Sequence, residues 1–215
     1  MIKIAPSILS ANLLDLKNEV LKVDQAGVEY IHIDVMDGHY VPNITFGSNI
    51  VRELRPLTNK ILDVHLMISP VLSFIEEFVK AGANIISFHP EADPEPNKVI
   101  NQIHKSNCKP GIAIHPNVKI DKVIKYLHLV DIVIVMTVVP GFGGQKFMDN
   151  QINKISQLRE IKKNKDLKFE IEIDGGINKD NASMCIKKGA DVLVAGSYIF
   201  GSLNNNYKEL IESLR

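Results

Sequence analysis

Short runs rich in β-branched residues alternate with helix-favouring stretches from one end of the chain to the other. The runs are Ile2–Ser7, Tyr30–Val35, Ile61–Leu66, Asn84–Phe88, Gly111–Ile114, Asp131–Val135, Phe169–Ile173 and Asp191–Ala195. Between them lie Leu13–Gln25, Ser48–Leu54, Pro70–Lys80, Lys98–Lys105, Lys119–Leu127, Asn150–Lys163 and Lys179–Lys187, and Tyr207–Leu214 closes the chain. Eight strands with alternating helices predict an α/β protein, a single (β/α)₈ TIM barrel spanning residues 1–215 as one domain. An open doubly wound sheet is the alternative, because periodicity alone does not show closure. Ala26-Gly27, Ala81-Gly82 and Lys188-Gly189 each end a helical stretch shortly before a strand, where glycine supplies the left-handed stop. The segments leaving strands 2 and 6, Met36–Phe46 and Met136–Phe147, are long, and such loops carry function in this architecture.

The polar positions inside the strands change the picture. Parallel barrel strands bury both faces and should read as continuous apolar runs. Here His32 and Asp34 share a face with Tyr30, Asp63 shares one with His65, and Glu170, Glu172 and Asp174 share another; the opposite parity is apolar each time. Helices cover the outside of a barrel, so the polar parity points inward. Buried charges are costly unless paired or bound to metal. His32, Asp34, His65 and Asp174 lie at strand C-ends and can converge on one rim, a donor set suited to Zn²⁺, Fe²⁺, Mn²⁺ or Co²⁺. A structural polar network in the barrel core is the bland reading, and the pattern favours metal or catalytic use. Asp63, Glu170 and Glu172 lie deeper and are read as supporting groups. His39, His104, His115 and His128 are read as surface or loop histidines, and His89, just after strand 4, as structural. Met36, Met67 and Met136 each stand just beyond a strand, where three at one depth can form an apolar lid.

Glycine clusters follow three consecutive strands: Gly141-Phe142-Gly143-Gly144, Gly175-Gly176 and Gly196-Ser197. Each alone means a turn; together they fit a phosphate cradle of backbone amides. Lysine plus arginine number 25 and aspartate plus glutamate 25, so the formal charge is zero, which argues against nucleic acid or an anionic membrane as partner. The two cysteines, Cys108 and Cys185, are far apart and fit a reduced, cytoplasmic protein. Residues 1–6 are too short in apolar length for a signal peptide, and Ile132–Val139 is too short to span a bilayer. There is no strand–GxGxxG–helix motif, so no nucleotide cofactor is expected.

The runs Ala5–Ser10, His32–Asn43, Asp63–Met67, Pro140–Phe147, Asp174–Asn178 and Ala195–Ser197 resemble the ribulose-phosphate 3-epimerase family, in order, over nearly the whole chain. The resemblance implies a barrel of the ribulose-phosphate-binding type that interconverts D-ribulose 5-phosphate and D-xylulose 5-phosphate in the pentose phosphate pathway. It implies one divalent ion per chain on His32, Asp34, His65 and Asp174, with Asp34 and Asp174 as the acid–base pair. Substrate contacts implied are Ser7, His65, Asp174, the methionine cap, and the cradle of Gly141, Phe142, Gly143, Gly144, Gly175, Gly176, Gly196 and Ser197. A small phosphorylated ketose is the implied partner, and relatives are often homo-oligomers. Two positions depart from the pattern: Val139 replaces a polar residue before the Pro-Gly and is expected to alter the loop's hydrogen bonding, and Asn12 replaces a common aspartate.

Three rivals remain in view. An epimerase of a six-carbon ketose phosphate such as allulose 6-phosphate is the nearest, disfavoured by the retained Gly143-Gly144 and Gly175-Gly176. A decarboxylase or aldol synthase on a similar barrel is expected to carry an inward lysine, which strands 2, 3 and 7 lack. A non-catalytic sugar-phosphate binder needs neither opposed carboxylates nor a metal.

Overall fold

The computed structural model describes residues 2–202 and 206–215. Its strands are β1 (Lys3–Pro6), β2 (Tyr30–Met36), β3 (Ile61–Met67), β4 (Ile85–Phe88), β5 (Lys109–Ile114), β6 (Ile132–Met136), β7 (Glu170–Asp174) and β8 (Val192–Ala195). Every neighbouring pair is parallel, in the order β1-β8-β7-β6-β5-β4-β3-β2. A single parallel bridge between Ser7 and His32 joins the two ends of that order, so the sheet curls into a nearly closed barrel. The open sheet is thereby excluded.

The helices are α1 (Leu16–Gln25), α2 (Ser48–Leu54), α3 (Ile75–Ala81), α4 (Pro96–Lys105), α5 (Ile152–Asn164), α6 (Lys179–Lys188), α7 (Ser197–Phe200) and α8 (Tyr207–Glu212). Local chemistry sets their limits. In α4, proline opens the first turn, Val99, Ile100 and Ile103 form the buried stripe, and His104 and Lys105 meet the negative end of the helix dipole. Gly82 and Gly189 stop α3 and α6 in the left-handed region, at φ 107° and 114°.

One expected helix is absent. Lys119–Leu127 folds as two 3₁₀ turns, Ile120–Lys122 and Ile124–Tyr126. Its amides bond three residues back, as from Val123 to Ile120 and from Tyr126 to Val123. The buried side chains Ile120, Val123 and Tyr126 recur every three residues. That spacing aligns them on one face of a 3₁₀ turn, and the β-branched content weakens the α-helical competitor.

Strand parity divides the interior in two. Ile31, Ile33, Val35, Leu62, Val64, Leu66, Ile171 and Ile173 face outward and pack in the main apolar core beneath the helices. Each such side chain, buried completely, contributes about 1.5–3 kcal/mol relative to exposure. The inward parity is apolar on β5, β6 and β8, with Ala113, Ile132, Ile134, Val192 and Val194. On β2, β3 and β7 it is polar. Tyr30 and Glu170 lie at the N-terminal end of the barrel, bonded to each other and to Lys3. The one inward lysine of β1 is thus tied up at the end remote from the strand C-termini.

Candidate active site

Above the Tyr30–Glu170 layer sit His32, Asp63 and Glu172, and above these Asp34, His65 and Asp174. All six are buried. Strand pairing causes the convergence: β2 and β3 run in register with His32 beside Asp63 and Asp34 beside His65, and Asp174 ends β7 beside Met136 of β6.

His32 Nε2 is 3.4 Å from Asp34 Oδ1 and 3.8 Å from Asp174 Oδ2; His65 Nδ1 is 3.7 Å from each of those oxygens. One donor atom from each of the four residues lies within 4.8 Å of all the others. Both nitrogens are buried and lack a hydrogen-bond partner. Two orphaned imidazole nitrogens aimed between two carboxylates fit a divalent ion, because a purely structural network would satisfy them. Each ring's other nitrogen is held from behind: His32 Nδ1 lies 2.6 Å from Asp63 Oδ2, and His65 Nε2 lies 3.2 Å from His89 Nε2.

The electrostatics follow from the crowding. Burial alone would push the Asp34 carboxyl up, but the imidazoles of His32 and His65 hold it well below the usual carboxylate range. Burial works against the charged forms of His32 and His65, yet the carboxylates around them raise both. Neither oxygen of Glu172 has a hydrogen-bond partner among the described residues, and His32 Nδ1, 3.3 Å from Oε1, offsets its burial only in part. Burial, reinforced by the charge of Asp63, therefore pushes its carboxyl up.

Over this cluster opens a cavity with about 520 Å³ of free space, continuous with solvent at its outer end. Its wall brings together Ser7, Asp34, Met36, Met67, Met136, Asp174 and all of the glycine-loop residues singled out from the sequence: Gly141, Phe142, Gly143, Gly144, Gly175, Gly176, Gly196 and Ser197. His32 and His65 are not on the wall; they lie beneath it, fully buried. The three methionines are buried and line the cavity together with the two aspartates. Ser7 Oγ donates to Asp34 Oδ2.

The loops are braced by side chains that the sequence pattern does not mark. Asp37 accepts from the amides of His39 and Tyr40 through Oδ1 and from Ser69 through Oδ2. Asn43 Nδ2 donates to the Gly141 carbonyl, tying the loop after β2 to the glycine loop after β6. Thr137 Oγ1 donates to the carbonyls of Asp174 and Gly175, fixing the end of β7 against β6. In α6, Asn178 and Asn181 form a capping box, and Asn181 Nδ2 reaches the Gly176 carbonyl. Val139 is half exposed and joins the loop's bonding through its carbonyl, which accepts from Gln145. Asn12 caps the 3₁₀ turn Leu13–Asp15 that leads into α1, accepting from the Leu14 amide. Ser10 lies between two glycine loops: a Cβ at Gly196 would come within 2.7 Å of its Oγ and one at Gly143 within 3.2 Å.

Known proteins resemble this chain to different degrees. The sequence model of the Ribulose-phosphate 3 epimerase family matches residues 3–200. A Bacillus subtilis (strain 168) protein named ribulose-phosphate 3-epimerase is 44% identical over 216 residues, covering 100% of this chain and 99% of the relative. The Arabidopsis thaliana protein named ribulose-5-phosphate-3-epimerase, chloroplastic, is 43% identical over 99% of this chain and 75% of its own length. Among solved structures, 3-keto-L-gulonate-6-phosphate decarboxylase from Vibrio cholerae superposes with a TM-score of 0.71 at 19% identity, over 100% of this chain and 95% of that one. At that identity the likeness shows the barrel fold alone.

Proposed function

Because this chain belongs to the Ribulose-phosphate 3 epimerase family, we propose that it interconverts D-ribulose 5-phosphate and D-xylulose 5-phosphate within the pentose phosphate pathway, as a cytoplasmic homo-oligomer. The observation that carries the chemistry is the placing of Asp34 and Asp174, on β2 and β7, against a shared pair of orphaned imidazole nitrogens at the floor of the cavity.

Epimerisation at carbon 3 of a ketose removes a proton beside a carbonyl and returns one on the opposite face. One ionised aspartate takes the proton, and the other, protonated, supplies its replacement; in the reverse direction the roles exchange. Strands 2 and 7 are three positions apart around the ring, with β1 and β8 between them, which lets the two carboxylates address a central carbon from different sides. His32, Asp34, His65 and Asp174 would hold one divalent ion, Zn²⁺, Fe²⁺, Mn²⁺ or Co²⁺, which when bound stabilises the negative charge that develops on the carbonyl and 3-hydroxyl oxygens. Met36, Met67 and Met136 exclude water around the reacting carbon. Ser7 keeps Asp34 oriented. The backbone of Gly143, Gly144, Gly175, Gly176, Gly196 and Ser197 supplies the side of the cavity where the phosphate sits.

The test is an assay of purified protein of defined metal content on ribulose 5-phosphate and allulose 6-phosphate. Turnover of the pentose phosphate at a kcat/KM at least about tenfold higher is the expected result. Preference for the hexulose phosphate would move the assignment to the six-carbon rival, and no turnover of either would remove it.

A further inference from the structure

His89 follows β4 and is fully buried, and it does not line the cavity. Its Nε2 lies 3.2 Å from His65 Nε2, with the ring centroids 5.2 Å apart. Its Nδ1 has no hydrogen-bond partner among the described residues and faces the Glu91 carboxylate at 3.6 Å, a charge contact rather than a hydrogen bond. Glu91 is part exposed and also accepts from the Tyr40 hydroxyl, whose ring lies against His89 at 5.1 Å between centroids.

Two facing Nε2 atoms at hydrogen-bond distance need one proton between them. If that proton sat on His89, two consequences would follow. A neutral His89 would turn a bare Nδ1 lone pair toward the Glu91 carboxylate. A neutral His65 would carry its own proton on Nδ1, the atom that faces Asp34 and Asp174. With a cation between His65 Nδ1 and the two aspartates, the opposite arrangement is the one that turns no bare lone pair toward a carboxylate. His65 donates from Nε2, His89 accepts there, and the His89 proton sits on Nδ1 toward Glu91. The His65 Nδ1 lone pair is then free for a cation.

We propose that His89, backed by Glu91, is a positioning residue that fixes the tautomer and ring orientation of His65 for metal binding. The proposal rests on the metal-site reading given above. The two imidazoles of the site thus gain support by different routes: His32 from the Asp63 carboxylate directly, His65 from the Glu91 carboxylate through an intervening imidazole. Partners of this kind raise ligand basicity and hold the ring in place, and their loss typically weakens metal binding about 10–100-fold.

The experiment measures Zn²⁺ affinity by competition with a chelator for wild type, His89→Phe and His89→Gln. Phenylalanine keeps the ring shape and removes the acceptor; glutamine places an amide oxygen near the Nε2 position. The phenylalanine variant is expected to lose about 10–100-fold in affinity and the glutamine variant to recover most of it. Long-range ¹H–¹⁵N correlation on histidine-labelled, Zn²⁺-loaded wild type reads the tautomers directly, so the outcome does not depend on a variant folding. It should show His65 protonated at Nε2 and His89 at Nδ1. Unchanged affinity in folded His89→Phe, or a proton on His89 Nε2, overturns the relay while leaving the metal site standing. Failure of wild type to bind Zn²⁺ removes the metal site and the relay together.

Discussion

Ser7 Oγ donates to Asp34 Oδ2 at 2.5 Å, and this leaves the other oxygen of Asp34, Oδ1, as the one nearest the two imidazoles. The carboxylate is divided between a face toward the cavity and a face toward the histidines. Removing the hydroxyl should free the cavity-side oxygen to rotate and raise its basicity. Ser7→Ala is expected to lower kcat about ten- to a hundredfold, the loss of one hydrogen bond to a charged group, with little change in metal content. Steady-state kinetics together with metal analysis checks this; an unchanged kcat would show that Ser7 does not orient Asp34.

Metal dependence is the second prediction. Purified protein should retain about one divalent ion per chain on the four-residue donor set. Prolonged chelation should abolish turnover, and adding the ion back should restore it. His32→Ala removes one of the orphaned nitrogens and should lose the ion without unfolding the barrel. Full activity in a sample verified as metal-free would reject the assignment.

The phosphate side of the cavity is tested at Gly196. A Cβ there would lie 2.7 Å from Ser10 Oγ and 3.4 Å from the Ser7 carbonyl, so a larger side chain has to displace the loop after β1 or enter the cavity. Gly196→Val is expected to raise KM for the phosphorylated ketose about tenfold or more, with a smaller effect on kcat, because the contact serves ground and transition states alike. Wild type that turns over the unphosphorylated sugar equally well would show that no cradle operates.

These residues differ in how visible they are from sequence. His32, Asp34, Asp63, His65, Glu172 and Asp174 stand out because charge recurring at period two inside an apolar strand is too costly to bury without a partner or an ion. The segment 119–127 reads as an α-helix because Ile120, Val123, Ile124 and Leu127 satisfy an α-helical stripe as well as a 3₁₀ one, and only the backbone bonding distinguishes them. His89 stands just past a short strand whose one other inward polar residue is the small Ser87, too weak a signal to mark the face as functional. Its contact with His65 depends on register between β3 and β4, which local sequence does not encode. Ser10, Asn43 and Thr137 act within or between loops, and any small polar loop residue has the same appearance.

Far from the site, Tyr207 of α8 donates to Glu19 of α1 at 2.6 Å, and Lys22 lies 3.0 Å from the same carboxylate. Burial alone would push Glu19 up, but the Tyr207 hydroxyl and Lys22 together hold its carboxyl below the ordinary value. A folded-state pKa depressed in this way adds stability that is fully present above the unfolded value of 4.5 and is lost as pH falls through the folded value. Tyr207→Phe should therefore destabilise the protein by about 1–2 kcal/mol at neutral pH. The gap between variant and wild type should close as pH drops below the unfolded value. Denaturant titrations at a series of pH values measure it; a gap independent of pH would mean that the hydroxyl acts through packing alone.

The acid–base assignment makes the most exacting prediction. A one-base mechanism would require the sugar to turn over between proton removal and return, which a cavity closed by Met36, Met67 and Met136 on one side and three glycine loops on the other does not favour. A two-base mechanism needs only one aspartate ionised and the other protonated. Asp34→Asn and Asp174→Asn should each lower net epimerisation by about 10²–10⁴-fold. Each variant keeps one carboxylate, so each should still exchange the carbon-3 proton of one epimer with solvent deuterium. The two variants should differ in which epimer exchanges. Both residues also belong to the proposed donor set, so the comparison holds only for samples shown to be metal-replete, and loss of turnover through loss of the ion would abolish exchange with both epimers alike. Exchange of the same epimer in both variants would indicate that a single carboxylate serves both faces. A metal-replete variant that epimerises near the wild-type rate would falsify the two-carboxylate mechanism.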